Sequence, residues 1–191
     1  MTEQQPYVVV GKQPGFELRR YPDYLVAEMV VTGSFESAGN RAFRSLAAYI
    51  SGRNRSRAAI TMTAPVLQEG ERLAMTAPVL QEGTTNRTTV AFVMPASLDP
   101  GSVPVPEDPR VTTRLVAGHL AAAARYSGRW SERAFREHEA TLLEQLPAAG
   151  LRPAGPARWA RYNPPWTPWF LRRNEVIVPV ADADGTARAH I

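Results

Sequence analysis

The feature that most constrains this chain is a repeat of pattern at a fixed offset. Tyr24–Gly33 (YLVAEMVVTG) matches His119–Gly128 (HLAAAARYSG), with Leu25 against Leu120 and Gly33 against Gly128, 95 residues apart in both cases. Each copy reads as a mostly apolar strand that stops at a glycine, and within five residues each leads into a helix opened by a serine able to cap free amides. A chain that says the same thing twice at this spacing is an internal duplication, so its fold is expected to be two similar halves related by a pseudo-twofold axis.

The helices that follow are legible from their apolar spacing. Over Phe35–Ile50, Ala38, Ala42, Phe43, Leu46, Ala47 and Ile50 fall on one face at the 3.6-residue period, with Gly52 beyond the end. Over Glu132–Leu146, the stripe is Phe135, His138, Leu142, Leu143 and Leu146, stopped by Pro147. Ser131 is placed to cap that helix, and Trp130 before it to fold over Phe135 as a hydrophobic staple.

Short β-branched segments flanked by Pro or Gly predict strands at Ile60–Leu67, Leu73–Leu80, Thr88–Met94, Ala157–Tyr162 and Glu175–Val180. MTAPVLQEG occurs twice, at Met62–Gly70 and Met75–Gly83, each with an aliphatic residue two places ahead (Ile60, Leu73). It reads as a duplicated hairpin, with Gln68–Arg72 as the turn, rather than as catalytic sequence. Residues 95–109 are proline-rich and aperiodic, hence a connection between halves. Each half alone offers one amphipathic helix and a few strands, too little to bury a stable core, so the halves belong to one domain. The expected organisation is a disordered start at 1–6, one α+β domain at 7–180 with halves at about 7–94 and 110–180, and a tail at 181–191.

Composition removes several classes of function. With 44% hydrophobic and 21% charged residues the chain is globular rather than disordered. The absence of cysteine excludes disulfides, thiolate catalysis and zinc–cysteine sites, leaving His, Tyr or Met for any axial bond to a metal. The net charge of +4 comes from dispersed arginines, with Lys12 the only lysine, and no clustered basic face or motif points to nucleic acid. No apolar run approaches the roughly 20 residues that cross a bilayer, and Met1–Pro6 lacks the character of a secretory signal, so no membrane contact and a cytoplasmic location are expected.

Seven segments taken in order carry a resemblance: FELRRY (Phe16–Tyr21), the two MTAPV motifs, FVMP (Phe92–Pro95), YSG (Tyr126–Gly128), YNPPW (Tyr162–Trp166) and RRNEV (Arg172–Val176). Together they make the chain similar to the SOUL haem-binding family, as a bacterial member, from about Tyr7 to Val180. The resemblance implies a distorted antiparallel β-barrel or sheet flanked by two α-helices, related to the ligand-binding domains of bacterial multidrug regulators. It also implies haem or another tetrapyrrole as ligand, held in an apolar groove between the halves.

Haem requires an apolar surface, cations for two propionates and, in most proteins, an axial donor. In animal members an arginine of the first helix is assigned to a propionate; with a one-residue gap it lines up with Arg41. A second basic residue, after the PP motif, corresponds here to Thr167, and the histidine some members place before the tyrosine of the first motif is Arg20. His119 and His138 are the remaining candidates for the iron. Tyr162, Trp166 and Trp169, set among prolines, offer flat apolar area to a ring system. Two alternatives stand beside haem carriage, buffering or sensing: a module for another flat amphipathic molecule, and an enzyme using Glu28 or Glu175 as general acid or base.

Overall fold

The computed structural model describes residues 3–56, 59–60, 63–70, 87–163 and 166–182. In chain order the strands are β1 (Glu3–Gln4), β2 (Val8–Gln13), β3 (Phe16–Tyr21), β4 (Tyr24–Thr32), β5 (Thr63–Ala64), β6 (Val66–Gly70), β7 (Arg87–Val93), β8 (Val111–Val116), β9 (His119–Tyr126), β10 (Leu151–Pro153), β11 (Arg158–Arg161) and β12 (Asn174–Asp182). Helix α1 (Phe35–Ile50) follows β4, and α2 (Glu132–Gln145) follows β9.

Ten strands form one largely antiparallel sheet in the order β2-β3-β9-β12-β11-β6-β7-β4-β8, with β10 also on β12. Leaving β2 aside, exchanging β3 with β8, β4 with β9, β6 with β11 and β7 with β12 reverses this order, so the eight strands from β3 to β8 are palindromic under exchange of the halves. The axis falls at the contact of β6 with β11, where Gln68 and Trp159 face each other in register. Each half lends its first strand to the other: β3 pairs with β9, and β8 with β4. The links that make these crossings also touch, Gly118 N–H donating to Asp23 Oδ1 at 2.6 Å. These two residues are 95 apart, the offset of the strand repeat.

Local sequence explains the repeated strand–helix unit. Gly33 (φ 132°) and Gly128 (φ 139°) lie in backbone that L side chains rarely adopt, at equivalent places after β4 and β9. Ser34 and Ser131 then accept from Ser37 N and Ala134 N, capping α1 and α2. Trp130 donates to Asn174 Oδ1 at 2.9 Å and borders the same small gap as Phe135, which packs on Trp159.

Both helices cover one face of the sheet. Alternate residues of β4 and β7 (Leu25, Ala27, Met29; Val90, Phe92) bury against Ala38, Ala42 and Leu46 of α1. Ala122, Val176, Val178 and Trp159 do the same against Phe135, Leu142 and Leu146 of α2. Burying one such side chain fully is worth about 1.5–3 kcal/mol. His138, expected on the stripe of α2, is only half-buried and stacks on Tyr126, whereas Glu139 is buried and answered by Arg136 at 3.0 Å. On the opposite, concave face no helix packs among the described residues. Its middle is a third core drawn from both halves: Tyr21, Tyr24, Leu67, Ala91, Ala160 and Ile177.

Four expectations change. The sheet curls but stays open, because the outer strands β2 and β8 are not joined, so no barrel forms. Residues 3–4, read as a disordered start, pair in parallel with β5, and Gln5 is buried with its N–H on Ala64 O at 2.8 Å. The turn expected from Gln68 is strand as far as Gly70, since β6 is held between β7 and β11. The tail begins later than 181, because β12 runs to Asp182 to meet β10. The second MTAPVLQEG copy and the predicted strand Leu73–Leu80 lie outside the described residues.

Candidate functional site

Alternation along β3 turns Glu17, Arg19 and Tyr21 to the concave face and Phe16 and Leu18 toward α2. On β12 the same alternation turns Glu175 and Ile177 inward. Glu175 has no exposed surface, and its carboxylate accepts from three side chains: Arg19 (2.6 and 3.2 Å), Arg173 (3.0 and 2.8 Å) and the Tyr162 hydroxyl (2.8 Å). Burial alone would raise the Glu175 pKa, but the two guanidiniums outweigh it and hold the carboxyl below its ordinary 4.5. Arg19 is stabilised as a cation by the same bonds despite its own burial, and it also meets Glu17 at 2.8 Å and stacks on the Tyr7 ring. Burial pushes the Tyr21 hydroxyl to about 12, and burial together with the Glu175 charge raises that of Tyr162 further.

This cluster floors an open cleft of about 410 Å³ over β2, β3, β9 and β12, within the range of about 300–1,000 Å³ usual for small-molecule sites. Its walls carry four cations, Lys12, Arg19, Arg125 and Arg173, against two carboxylates, Glu17 and Glu175. Tyr7 and Ala123 supply apolar surface. The apolar groove expected between the halves is filled instead: the gaps beside Tyr24 and Leu67 hold only about 30 and 10 Å³.

The sequence-derived candidates divide. Tyr162 belongs to the cluster. Arg41 lies on the helix-covered side, its guanidinium donating to Thr32 O (3.0 Å) and Ser37 Oγ (2.8 Å). Trp166 and Trp169 stand outward at 82% and 50% exposure, away from the cleft. Glu28 faces inward but is held by both guanidinium edges of Arg114 at 3.0 and 2.8 Å. His119 lies between the rings of Tyr21 and Tyr24, where burial lowers its pKa, and His138 projects from α2 onto Tyr126. Neither histidine lines the cleft, and among the described residues no group of three or more His, Asp or Glu could hold a metal. Arg19, the central cation, was missed by sequence reasoning. Its signal was present: Arg19 and Arg114 stand 95 apart, opposite Ala121 and Val26, at equivalent positions of the two halves.

For haem, then, the residues fit the propionates and part of the ring but supply no histidine to the iron. The fold is thus an open antiparallel sheet with both helices on one face and a cationic cleft on the other. The chain belongs to the SOUL heme-binding protein family, whose model matches residues 2–179. Among curated proteins none matches it. The fold is similar to the crystal structure of the EcmrR C-terminal domain (TM-score 0.65, 12% identity, 92% of this chain and 98% of that one). It is also similar to EcmrR in a cryo-EM complex with DNA (0.64, 11%, 86% and 56%). A third likeness is to a structure described as a hydrolase from Listeria innocua (0.59, 13%, 86% and 91%). At these identities the likeness is one of fold, and the fold hosts more than one activity.

Proposed function

We propose that the cleft floored by Arg19 and Glu175 binds one flat amphipathic molecule bearing carboxylates, haem or another tetrapyrrole first, and that the protein serves as its carrier, buffer or sensor. The observation that carries this reading is the surplus of cations over carboxylates around a cleft with an aromatic wall. Two propionates match that surplus, Lys12 and Arg125 being exposed at its rim and able to close on an anion. Glu175 is a poor general acid, since it is held ionised and fully bonded; Glu28 is committed to Arg114. The fold's likeness to a regulator domain favours the second reading, a different flat ligand in the same cleft.

The test is a pair of titrations followed at the Soret band, with hemin and with metal-free protoporphyrin IX. Both should saturate near one equivalent with affinities within about threefold, because no histidine lines the cleft to reward the iron. The Lys12→Ala/Arg125→Ala variant should lose at least about tenfold, as expected for charge-assisted hydrogen bonds worth ~1.5–3 kcal/mol each. Flat titrations with both porphyrins would overturn the haem reading. A thermal shift by some other planar compound, lost in the same double variant, would move support to the second reading.

A further inference from the structure

The loop between β11 and β12 presents four large apolar side chains to solvent: Trp166 (82% exposed), Trp169 (50%), Phe170 (58%) and Leu171 (64%). They line none of the cleft, so small-molecule binding does not account for them. The backbone that carries them is firmly held. Gly128 N donates to Trp169 O (3.2 Å), Arg172 Nε to Thr167 O (2.8 Å) and Arg173 N to Asn163 Oδ1 (2.6 Å), and a single 3₁₀ turn runs over Trp169–Leu171. A fixed loop that keeps indoles and a phenyl ring in water has a free-energy cost, unless something covers them.

The charge around the loop says what. Residues 145–174 contain five arginines and no acidic side chain. Arg129 stacks toward Trp169 (5.9 Å) and Arg172 over Trp130 (4.2 Å), which sets guanidiniums directly behind the apolar tip. The nearest carboxylate in sequence, Glu175, is buried and bonded to Arg19, Arg173 and Tyr162, and Glu132, three residues after Arg129, is paired with Arg136. Tryptophans with aliphatic and aromatic neighbours in front of arginines are the side chains that settle at a bilayer interface, rings among the acyl–headgroup boundary and guanidiniums on phosphates.

We infer that Trp166, Trp169, Phe170 and Leu171 form a tip that docks this protein reversibly on membranes rich in anionic lipid. Among the described residues no helix is long and apolar enough to cross the bilayer; the contact is made at the surface, through a loop. The inference is independent of what the cleft binds, although the same loop leads from Tyr162 to Arg173 of the cleft and would bring it close to the lipid.

The experiment is co-sedimentation of the full chain with phosphatidylcholine vesicles and with vesicles containing phosphatidylglycerol, alongside Trp166→Ser/Phe170→Ser, both exposed positions. The expected result is binding to the anionic vesicles alone, weakened by salt and reduced at least about tenfold in the variant. The variant's melting temperature and porphyrin titration should match those of the parent. No binding to anionic vesicles, or equal binding by parent and variant, overturns the inference. So does self-association that the variant abolishes, which would make the tip a contact between copies, and so does loss of porphyrin binding in the variant, which would return the loop to the ligand site.

Discussion

Replacing Glu175 by Gln tests whether charge holds the cleft floor together. The carboxylate and its partner Arg19 have side chains 0% and 4% exposed, and Arg173 is 19% exposed. Five donor contacts converge on the two oxygens. An amide has one acceptor oxygen, and its NH₂ would face a guanidinium, which only donates. Glu17 still reaches Arg19, so one cation keeps a partner, but the buried charge balance is gone. Breaking a buried pair from one side costs about 3–5 kcal/mol, or roughly 6–20 °C in melting temperature for a chain of this length. Glu28→Gln is the internal control. Its partner Arg114 is 52% exposed, so the loss should stay under about 1 kcal/mol.

The pH dependence gives a second reading of the same variant. Because the Glu175 pKa is lowered in the folded protein, its contribution is complete above the ordinary value of 4.5 and is lost as pH falls through the lower folded value. The gap between parent and Glu175→Gln should therefore be constant near neutrality and narrow in acid, measured by thermal unfolding followed by circular dichroism. Equal, small shifts for Glu175→Gln and Glu28→Gln would refute the argument, showing that the cluster's geometry rather than its charge sustains it.

Arg41→Ala should leave porphyrin affinity unchanged within about twofold, since that guanidinium is spent on Thr32 O and Ser37 Oγ on the far side of the sheet; a tenfold loss in the Soret titration would put the ligand there. His119→Gln should flatten part of the acid limb of stability. Burial lowers the folded pKa of His119 below 6.5, so its contribution is present above 6.5 and is lost as pH falls through the folded value, and a variant whose melting temperature still declines over that interval like the parent's would contradict this.

What the sequence made legible follows how local each signal is. Helix α1 occupies the predicted Phe35–Ile50 because a 3.6-residue stripe, a capping serine and a glycine stop agree over the same residues. The duplication is legible for a similar reason, and the palindromic sheet carries it through. Strand partners are another matter. FELRRY and YLVAEMVVT are separated by only two residues, yet β3 pairs with β9 and β4 with β8, because pairing across the axis is a property of the whole sheet. VTTRLV went unread as a strand, since an edge strand half in water has a weak apolar pattern. In the site, Tyr162 and the pairing of Glu175 with Arg173 were within reach. Arg19 was hidden inside a motif noticed for its resemblance, while Trp166 and Trp169 drew attention through chemistry alone, which cannot tell a ring facing a ligand from one facing solvent.

Duplication predicts two equivalent clefts, and the structure has one. The register gives the reason. Glu28 on β4 corresponds to Ala123 on β9, and Thr89, opposite Val30, corresponds to Glu175, opposite Arg125. The two equivalent arginines are thus neutralised from different strands: Arg114 by a carboxylate standing in its cleft, Arg19 by one in the floor. Where β4 presents Val26 and Glu28, β9 presents Ala121 and Ala123, and space follows side-chain size, about 30 Å³ in one half and 410 Å³ in the other. Hairpin β2–β3 then adds Tyr7 and Lys12 as a wall for which the proline-rich connection before β8 provides no counterpart. The cleft comes from broken symmetry, which is why a ligand bound there should reach one per chain and why Ala123, not an ionisable residue, is the position whose enlargement would close it.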